Sequence, residues 1–197
     1  MKKIFTLFIW LMLLPVTALA AETNTVYVGG VALAGSSDSI VYATTNENGE
    51  VITEGATADN YNIKWDGSTL TLHDATIQKE LNDSNLLISG SAIGVLNQSG
   101  DAELTVQLEG SNMIDEVSTG IYVHSSGGGA ALSIAGNGTL FIDSTFFPIQ
   151  VISFNGNAAL SIENAKVTAT SSYYNGVTVQ SGNSENSSAS LLSLIHI

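Results

Sequence analysis

Residues 102–180 read, in three consecutive lines, AELTVQLEGSNMIDEVSTGIYVHSSGGG (102–129), AALSIAGNGTLFIDSTFFPIQVISFNGN (130–157) and AALSIENAKVTATSSYYNGVTVQ (158–180). The lines align without a gap, so Leu104, Leu132 and Leu160 share one column. Their constant period of about 28 residues lies within the range of about 20 to 50 that is typical of stacked solenoid proteins. The period therefore predicts a solenoid architecture, and by itself it predicts no activity.

Each repeat contains three short runs in which apolar residues alternate with Ser, Thr or Gln. In the second repeat these runs are 131–134, 139–142 and 149–152, separated by corners rich in Gly and Asn. Side chains that alternate with a period of two lie on opposite faces of a strand, so the apolar ones share the inward face. Gly and Asn accept the positive φ of a sharp corner. We therefore predict an all-β fold, a parallel β-helix with three strands per coil. Its predicted inward ladders are Leu104–Leu132–Leu160 with Val106–Ile134–Ile162, and Ile93–Ile121–Ile149–Val177 with Val95–Val123–Val151–Val179.

The first coil is expected to be irregular. Leu70-Thr71-Leu72 is its first predicted strand, but Leu70 is farther from Ile93 in the sequence than Leu104 is from Ile121. The difference, six extra residues, falls in a polar loop between Gln78 and Leu87. Insertions in a solenoid map to loops on one face, and long loops often carry binding residues. The loop is therefore either a tolerated insertion or part of a binding surface.

Residues 21–66 do not follow the period, and we predict that they form an N-terminal β cap. The open end of a solenoid exposes strand edges and needs such a cap. We expect the cap to fold onto the first coil through residues 61–65, with a hairpin turn at Asn48-Gly49. Residues 67–191 then form the solenoid itself, in truncated form. The strands predicted in the cap are 26–33, 40–44 and 50–53.

Residues 1–20 have the order of a secretory signal peptide. Lys2 and Lys3 precede the apolar run 4–14, and Ala18-Leu19-Ala20 supplies a cleavage site of small residues. The apolar run is shorter than the roughly 20 residues that a membrane span needs, although a membrane anchor is the alternative. We therefore expect cleavage after Ala20 and a secreted or cell-surface location.

The last six residues, 192–197, match a translation of the DNA adapter used in transposase-based sequencing libraries, and we interpret them as read-through. The alternative is a genuine apolar strand of the next coil. Leu191 suits that alternative because it follows Leu160 by one period plus a three-residue insertion. On the first interpretation the natural chain continues beyond Leu191, and the sequence is a fragment.

The charge balance excludes some partners. The chain carries 18 acidic residues against five basic ones, for a formal net charge of −13. Removal of the predicted signal peptide would leave only Lys64, Lys79 and Lys166, with no arginine. Nucleic acids are bound through Lys and Arg that neutralise phosphates, and anionic membrane surfaces attract basic segments in the same way. We expect neither partner and no membrane-embedded segment in the mature chain.

No catalytic constellation is visible in the sequence. Secreted β-helices include pectate lyases, which use Arg or Lys as the base, but this chain has no Arg and only scattered Lys. The related hydrolases place paired carboxylates beside the glycosidic bond in N-x-D, D-D and G-H-G runs, which do not occur here. No G-x-S-x-G nucleophile elbow occurs either. We expect a protein without catalytic residues in this sequence.

Metal sites are weakly supported by the pattern. Asp115 and Asp143 occupy one column and could share a calcium ion, but Ser171 follows them, and solvated loop carboxylates are the alternative. His73 and His124 are unrelated by the period, so no zinc site is indicated. We expect no metal and no cofactor.

Aromatic side chains are the candidate ligand-binding residues. Phe146 and Tyr174 share a column in the corner between strands 2 and 3, with Phe147 and Tyr173 beside them. Tyr122 lies on the outward face of strand 3. Polysaccharides are often bound by a flat strip of rings, and a solenoid spaces rings regularly. The alternative is that these rings cover the core edge or stack on one another for stability.

Residues 61–180 also resemble a known group of proteins. The resemblance rests on L-T-I, G-x-N-x-I and G-x-G-T-L elements, as in YNIKWDGSTLTLHDATI (61–77), AELTVQLEGSNMI (102–114), ALSIAGNGTLFI (131–142) and ALSIENAKVTAT (159–170). These elements are typical of bacterial exported, carbohydrate-binding-domain-containing, right-handed parallel β-helix proteins. The resemblance implies a right-handed coil, a surface or extracellular location and a glycan ligand, but it assigns no individual functional residue.

Three functions therefore stay open at the level of sequence. The first is an exported, non-enzymatic surface module that contacts polysaccharide or a cell-surface glycan. The second is a structural stalk or adhesin segment that presents a domain beyond Leu191. The third is a polysaccharide lyase or hydrolase with its site in that missing part.

Overall fold

The computed structural model describes residues 24–174, 176–182 and 188–194. These residues form an all-β fold of two eight-stranded sheets without a helix. Within these three ranges, accordingly, no apolar helix has the length to cross a membrane. The strands are β1 (Asn24–Val28), β2 (Val31–Gly35), β3 (Val41–Thr45), β4 (Val51–Ile52), β5 (Ile63–Trp65), β6 (Thr69–His73), β7 (Thr76–Ile77), β8 (Ser91–Asn97), β9 (Ala102–Glu109), β10 (Ser111–Ser125), β11 (Ala130–Gly136), β12 (Thr139–Ser153), β13 (Ala158–Glu163), β14 (Lys166–Ser171), β15 (Val177–Ser181) and β16 (Ala189–Leu194).

Parallel strands stack into a β-solenoid of about three turns with roughly 28 residues per turn, which confirms the predicted fold class and period. Strands β9, β11, β13 and β16 lie one above another in one sheet. Leu132 lies opposite both Leu104 and Leu160. Leu191 lies opposite Leu160 after the expected three-residue insertion. The second predicted ladder forms in the other sheet, through the pairs Ile93–Ile121, Ile121–Ile149 and Ile149–Val177.

The three predicted strands per coil are separate in the first coil, as β6, β7 and β8, and in the last coil, as β13, β14 and β15. In the two coils before it, strands 2 and 3 form one continuous strand of 15 residues, β10 or β12. Strand β10 turns this corner while it stays paired with β12. The pairing register shifts between Ile114 and Thr119, and Glu116 in that stretch takes a positive φ of 57°. A local slip of this kind bends a strand while regular pairing resumes on both sides.

The register of the first coil differs from the prediction by two residues. Leu70 lies opposite Val106, whereas the sequence alignment placed it in the column of Leu104. The stretch from Leu70 to Ile93 therefore corresponds to the stretch from Val106 to Ile121, which makes the insertion eight residues long and not six. A shift of two leaves the same side chains inward because the strand period is two, so the hydrophobic pattern alone could not detect it.

The N-terminal region extends both sheets with antiparallel strands. Residues 26–33, predicted as one strand, form the β1–β2 hairpin around Gly29-Gly30, whose φ angles are 56° and 81°. Strand β1 pairs with β8 of the first coil. Strand β5 pairs with β6 on one side and with β3 on the other. Residues 63–65 thus join this region to the first coil.

The hydrophobic core lies between the two sheets, and the ladders supply it. Ile134, Ile149 and Val151 are fully buried, and Leu104, Leu132 and Leu160 are nearly so. Full burial of one such side chain stabilises the fold by about 1.5–3 kcal/mol. In the last coil the core is less covered, since Ile162, Val167, Val177 and Val179 are only partly buried. Because inward positions are filled with aliphatic residues, contacts with other molecules fall to outward positions, corners and loops.

Predictions about the two ends stay open. The signal-peptide segment 1–20 lies outside the described residues, as do residues 195–197. Leu192 and Leu194 belong to β16 and pair with β13. This pairing does not decide the origin of residues 192–197, because an alternating apolar sequence of any origin can extend an open sheet edge.

Candidate functional site

Four of the five candidate rings form one group at the corner between strands 2 and 3, which we call the corner cluster: Phe146, Phe147, Tyr173 and Tyr174. The rings of Phe147 and Tyr174 are stacked, with centroids 4.9 Å apart and planes 6° apart. The Phe146 ring lies 6.0 Å from that of Tyr173 and 5.8 Å from that of Tyr174, at tilts of 38° and 45°. Rings from two adjacent coils are thus brought together, but they do not form the flat strip that the sequence suggests.

The corner is positioned by the backbone of two coils. Phe146 and Phe147 belong to β12 at its bend, just before the buried Pro148. The two tyrosines follow β14, where Ser171 donates a hydrogen bond from Oγ to the Tyr174 carbonyl. The Ser172 N–H donates to the Ser144 carbonyl at 3.2 Å, which holds one corner over the next.

Much of the corner cluster faces solvent. The exposed fractions are 39% for Phe146, 73% for Tyr173 and 59% for Tyr174, while Phe147 is half-buried. Exposed aromatic surface of this kind, on a rigid backbone, is available to stack on the apolar face of a ligand. The stacked pair Phe147–Tyr174 at the same time contributes to the packing between two coils.

Tyr122, the fifth candidate, lies apart from the corner cluster in a second aromatic group. Its hydroxyl is 3.2 Å from Nδ1 of His124, and Nε2 of His124 is 3.2 Å from the Ser126 hydroxyl. The His124 ring packs edge-on against Phe154 at 4.9 Å. The three polar groups lie at alternate positions of one strand and its end, so they share one face. This arrangement explains Tyr122 as a partner of His124.

Burial keeps this second group uncharged. Burial raises the pKa of the Tyr122 hydroxyl above its ordinary value and lowers the pKa of the His124 imidazole below its own. Both shifts follow from the cost of placing a charge away from water. Near neutral pH the pair therefore offers a neutral imidazole and a neutral hydroxyl.

The carboxylate of Asp143 and the imidazole of His73, both considered as metal ligands in the sequence, make local contacts. Asp143 accepts a hydrogen bond from the Thr170 hydroxyl at 3.0 Å. Nε2 of His73 lies 3.6 Å from Oδ2 of Asp74 at the surface, and His73 faces Glu109 of the next coil. In the part of the chain that the structure describes, no three His, Cys, Asp or Glu residues lie close enough to share a metal ion.

The insertion loop of the first coil is fastened to the solenoid. The Glu80 carboxylate accepts a hydrogen bond from the Ser118 N–H at 2.6 Å and from its hydroxyl at 3.3 Å. The Gly90 N–H donates to the Leu81 carbonyl at 2.7 Å, and the Leu81 N–H donates to the Ser91 carbonyl at 2.8 Å. The loop is therefore an ordered part of the surface, beside the N-terminal region.

A cleft of about 650 Å³ lies between the N-terminal region and the first coil, and the sequence did not point to it. It is bounded by β1, the insertion loop, the end of β8 and the start of β9. Its lining combines residues 25–27 of β1, Trp65 of β5 and one continuous stretch, residues 86–103, so no single local motif marks the site. The only sequence signal is indirect, since the cleft lies where the repeat period fails.

No protein-family model, curated protein or solved structure matches this chain. The class that the structure defines is thus that of an all-β, β-solenoid protein. Any function must be argued from the surface of this chain itself.

Proposed function

We propose that this protein is an exported, non-enzymatic surface module that binds polysaccharide or a cell-surface glycan through the corner cluster. The observation that carries the proposal is the group of exposed rings, Phe146, Tyr173 and Tyr174, at a single corner. Export is supported by the charged, apolar and small-residue order of residues 1–20.

Ring exposure supports this proposal on energetic grounds. Large aromatic side chains lose favourable burial when they face water, and Tyr is over-represented where one end of a ring is wet and the other contacts a ligand. The ladder backbone fixes the rings before a ligand arrives, which lowers the entropic cost of binding.

The charge pattern further restricts the partner. A net charge of −13 repels polyanions such as nucleic acids and strongly acidic surfaces. A glycan contacted through ring faces needs no basic residues, so the composition and the corner cluster point to the same class of ligand.

A structural stalk or adhesin segment is the second candidate. The stacked pair Phe147–Tyr174 favours it, because a parallel contact of 4.9 Å between rings of adjacent coils stabilises the solenoid without any ligand. On this view the exposed ring area is a by-product of coil-to-coil packing.

Glycan-array binding and thermal unfolding of the same variants separate the two candidates. Tyr173→Ala and Phe146→Ala should weaken glycan binding by about tenfold or more with little change in melting temperature. Phe154→Ala, at an equally exposed ring outside the cluster, is the matched control and should bind normally. Variants that lose stability but keep binding, or a wild-type protein that binds no glycan, would support the stalk and overturn the glycan module.

A further inference from the structure

The cleft beside the N-terminal region forms because two pairs of strands diverge at one corner. Strand β1 pairs with β8 only at Val28–Ile93 and Tyr27–Gly94. Strand β6 meets β9 only from Thr105 onward. Between these contacts the chain passes from β8 to β9. No described residue pairs with Ala102–Leu104 on the edge of β9 that faces the N-terminal cap. The solenoid wall is therefore open at this corner, and the opening is the cleft of about 650 Å³.

Volume and lining suit a small ligand. Small-molecule sites usually occupy about 300–1,000 Å³ and combine an apolar floor with a few polar groups. The buried Trp65 lies at the floor of the cleft, and the half-buried Tyr27 ring forms part of its wall. Four lining side chains have hydrogen-bonding groups without a protein partner in the described parts of the chain. They are Thr25, Tyr27, Gln98 and Glu103.

The charge of the lining restricts the ligand further. Glu103 is exposed, and Asp101 uses Oδ1 to accept the Gly129 N–H at 2.7 Å. No lysine lines the cleft, and the described residues contain no arginine. An anionic ligand would therefore be repelled, whereas a neutral ligand rich in hydroxyls can donate hydrogen bonds to the carboxylates.

We propose that this cleft binds a neutral sugar unit, and that it is a second ligand site separate from the corner cluster. Sugar hydroxyls would donate to Glu103 and Asp101 and exchange hydrogen bonds with Thr25 and Gln98. The apolar face of the sugar ring would lie against Tyr27, in the manner of aromatic contacts with ring faces. The selectivity for uncharged sugars is set by the carboxylates.

An extended peptide added to the open edge of β9 is the competing occupant. Peptides that add a strand to a sheet draw affinity from a row of backbone hydrogen bonds, and typical strands are about five to six residues long. The open edge of β9 that faces the N-terminal cap spans only Ala102–Leu104. This edge is short for strand addition, while the side chains around it suit a sugar.

Isothermal titration with neutral trisaccharides of glucose, galactose and mannose tests the site, with a trigalacturonate as the acidic probe. The wild-type protein should bind at least one neutral trisaccharide and exclude the trigalacturonate. Glu103→Gln removes one charged hydrogen-bond acceptor and should weaken neutral binding by about tenfold. Tyr27→Ala removes the ring face against which the sugar lies and should weaken it by a similar factor. Glu163→Gln removes an exposed carboxylate elsewhere and should leave binding unchanged.

Three outcomes would overturn the cleft proposal. They are an absence of binding to all three neutral trisaccharides, equal affinity of wild type and both cleft variants, and binding of a basic hexapeptide that Glu103→Gln abolishes. The corner cluster is tested separately, because Tyr173→Ala should leave intact the component of trisaccharide binding that Glu103→Gln weakens. If Tyr173→Ala abolishes trisaccharide binding while the cleft variants do not, the corner cluster stands and the cleft proposal fails.

Discussion

The regular coils of residues 102–181 and the N-terminal part of the chain, residues 24–101, enclose the same core by different means. The N-terminal part comprises the cap strands β1–β5 and the irregular first coil β6–β8. In the regular coils each strand packs on a copy of itself, as Leu132 does between Leu104 and Leu160. In the N-terminal part, antiparallel strands pair with the irregular first coil, and the insertion loop of that coil is fastened to the next one. Strand pairing runs without interruption through the regular coils, whereas pairing between the cap and the solenoid is interrupted at one corner and leaves a cleft.

The corner cluster is likewise an exception to the repeat, but it lies inside the regular coils. In its column Ser118 precedes Phe146 and Tyr174, so the rings appear only in the later coils. The ladders underneath do not change, since Ile121, Ile149 and Val177 stay in register. Both candidate sites are therefore departures from the repeat, carried on a scaffold whose inward ladders are the same with or without them.

The largest expected effect is in the regular core. Ile134→Ala removes a fully buried ladder residue with strands on both sides, and it should lower the free energy of unfolding by about 3 kcal/mol. Ile52→Ala, in the N-terminal region and 38% exposed, should cost less than about 1 kcal/mol. Urea unfolding measures both. Equal losses would mean that the two regions do not differ in packing as described.

A smaller effect is expected at the turn that joins β5 to β6. Gly67 has a φ of 90°, and a Cβ there would lie 2.6 Å from the Ser36 Cα, so Gly67→Ala should cost at least about 2 kcal/mol. Gly55→Ala is the control, because its φ is 74° but nothing lies within 4 Å of the added Cβ. It should cost about 1 kcal/mol. Thermal unfolding that ranks Gly55→Ala as the worse variant would contradict the close packing of the N-terminal hairpins.

The insertion loop should become less ordered when its hydrogen bonds to Ser118 are removed. Glu80→Ala removes the two hydrogen bonds to Ser118 and should lower stability by about 1 kcal/mol. Amide exchange in the loop should rise while exchange in the regular coils stays the same. Glu54→Ala, at an exposed glutamate of the N-terminal region, controls for the change in charge. Unchanged exchange in the loop of Glu80→Ala would show that this contact does not order it.

The smallest expected effect is the contribution of His124 to the pH dependence of the free energy of unfolding. Because burial lowers the pKa of His124 in the folded state, the unfolded chain binds more protons as the pH falls through the ordinary histidine range. The free energy of unfolding should therefore decrease as the pH is lowered from about 7 to 5. The groups that face the imidazole are Tyr122, Ser126 and Phe154.

His124→Gln isolates this contribution from that of the many carboxylates. Urea unfolding at several pH values should give a shallower decrease for the variant than for the wild type. Identical slopes would show that His124 titrates in the folded protein as it does in the unfolded chain.

The repeat made most of the fold predictable. Leu104, Leu132 and Leu160 could be placed without coordinates because the same solution recurs in every coil. Leu70 was misplaced by two residues because Leu-Thr-Leu fits the period-two pattern in either register. The hairpin at Gly29-Gly30 was missed because apolar residues on both sides of it continue one pattern.

The candidate sites were harder to predict from the sequence than the fold was. The column of Phe146 and Tyr174 indicated the corner cluster, but only coordinates reveal that Phe147 stacks on Tyr174. Tyr122 was grouped with them by its outward position, although its hydroxyl contacts His124. The cleft depends on where unrelated segments diverge, and such long-range geometry leaves no local pattern.

A titration of the ¹⁵N-labelled protein with neutral oligosaccharides, followed by amide chemical shifts, tests the central claim most directly. The claim is that the repeat is a scaffold and that ligands contact its departures. We expect shifts confined to residues 145–147 and 172–174 at the corner cluster and to 95–103 at the cleft. Shifts that instead run along the regular outward row of Thr105, Ser133 and Ser161, or no shifts at all, would contradict it.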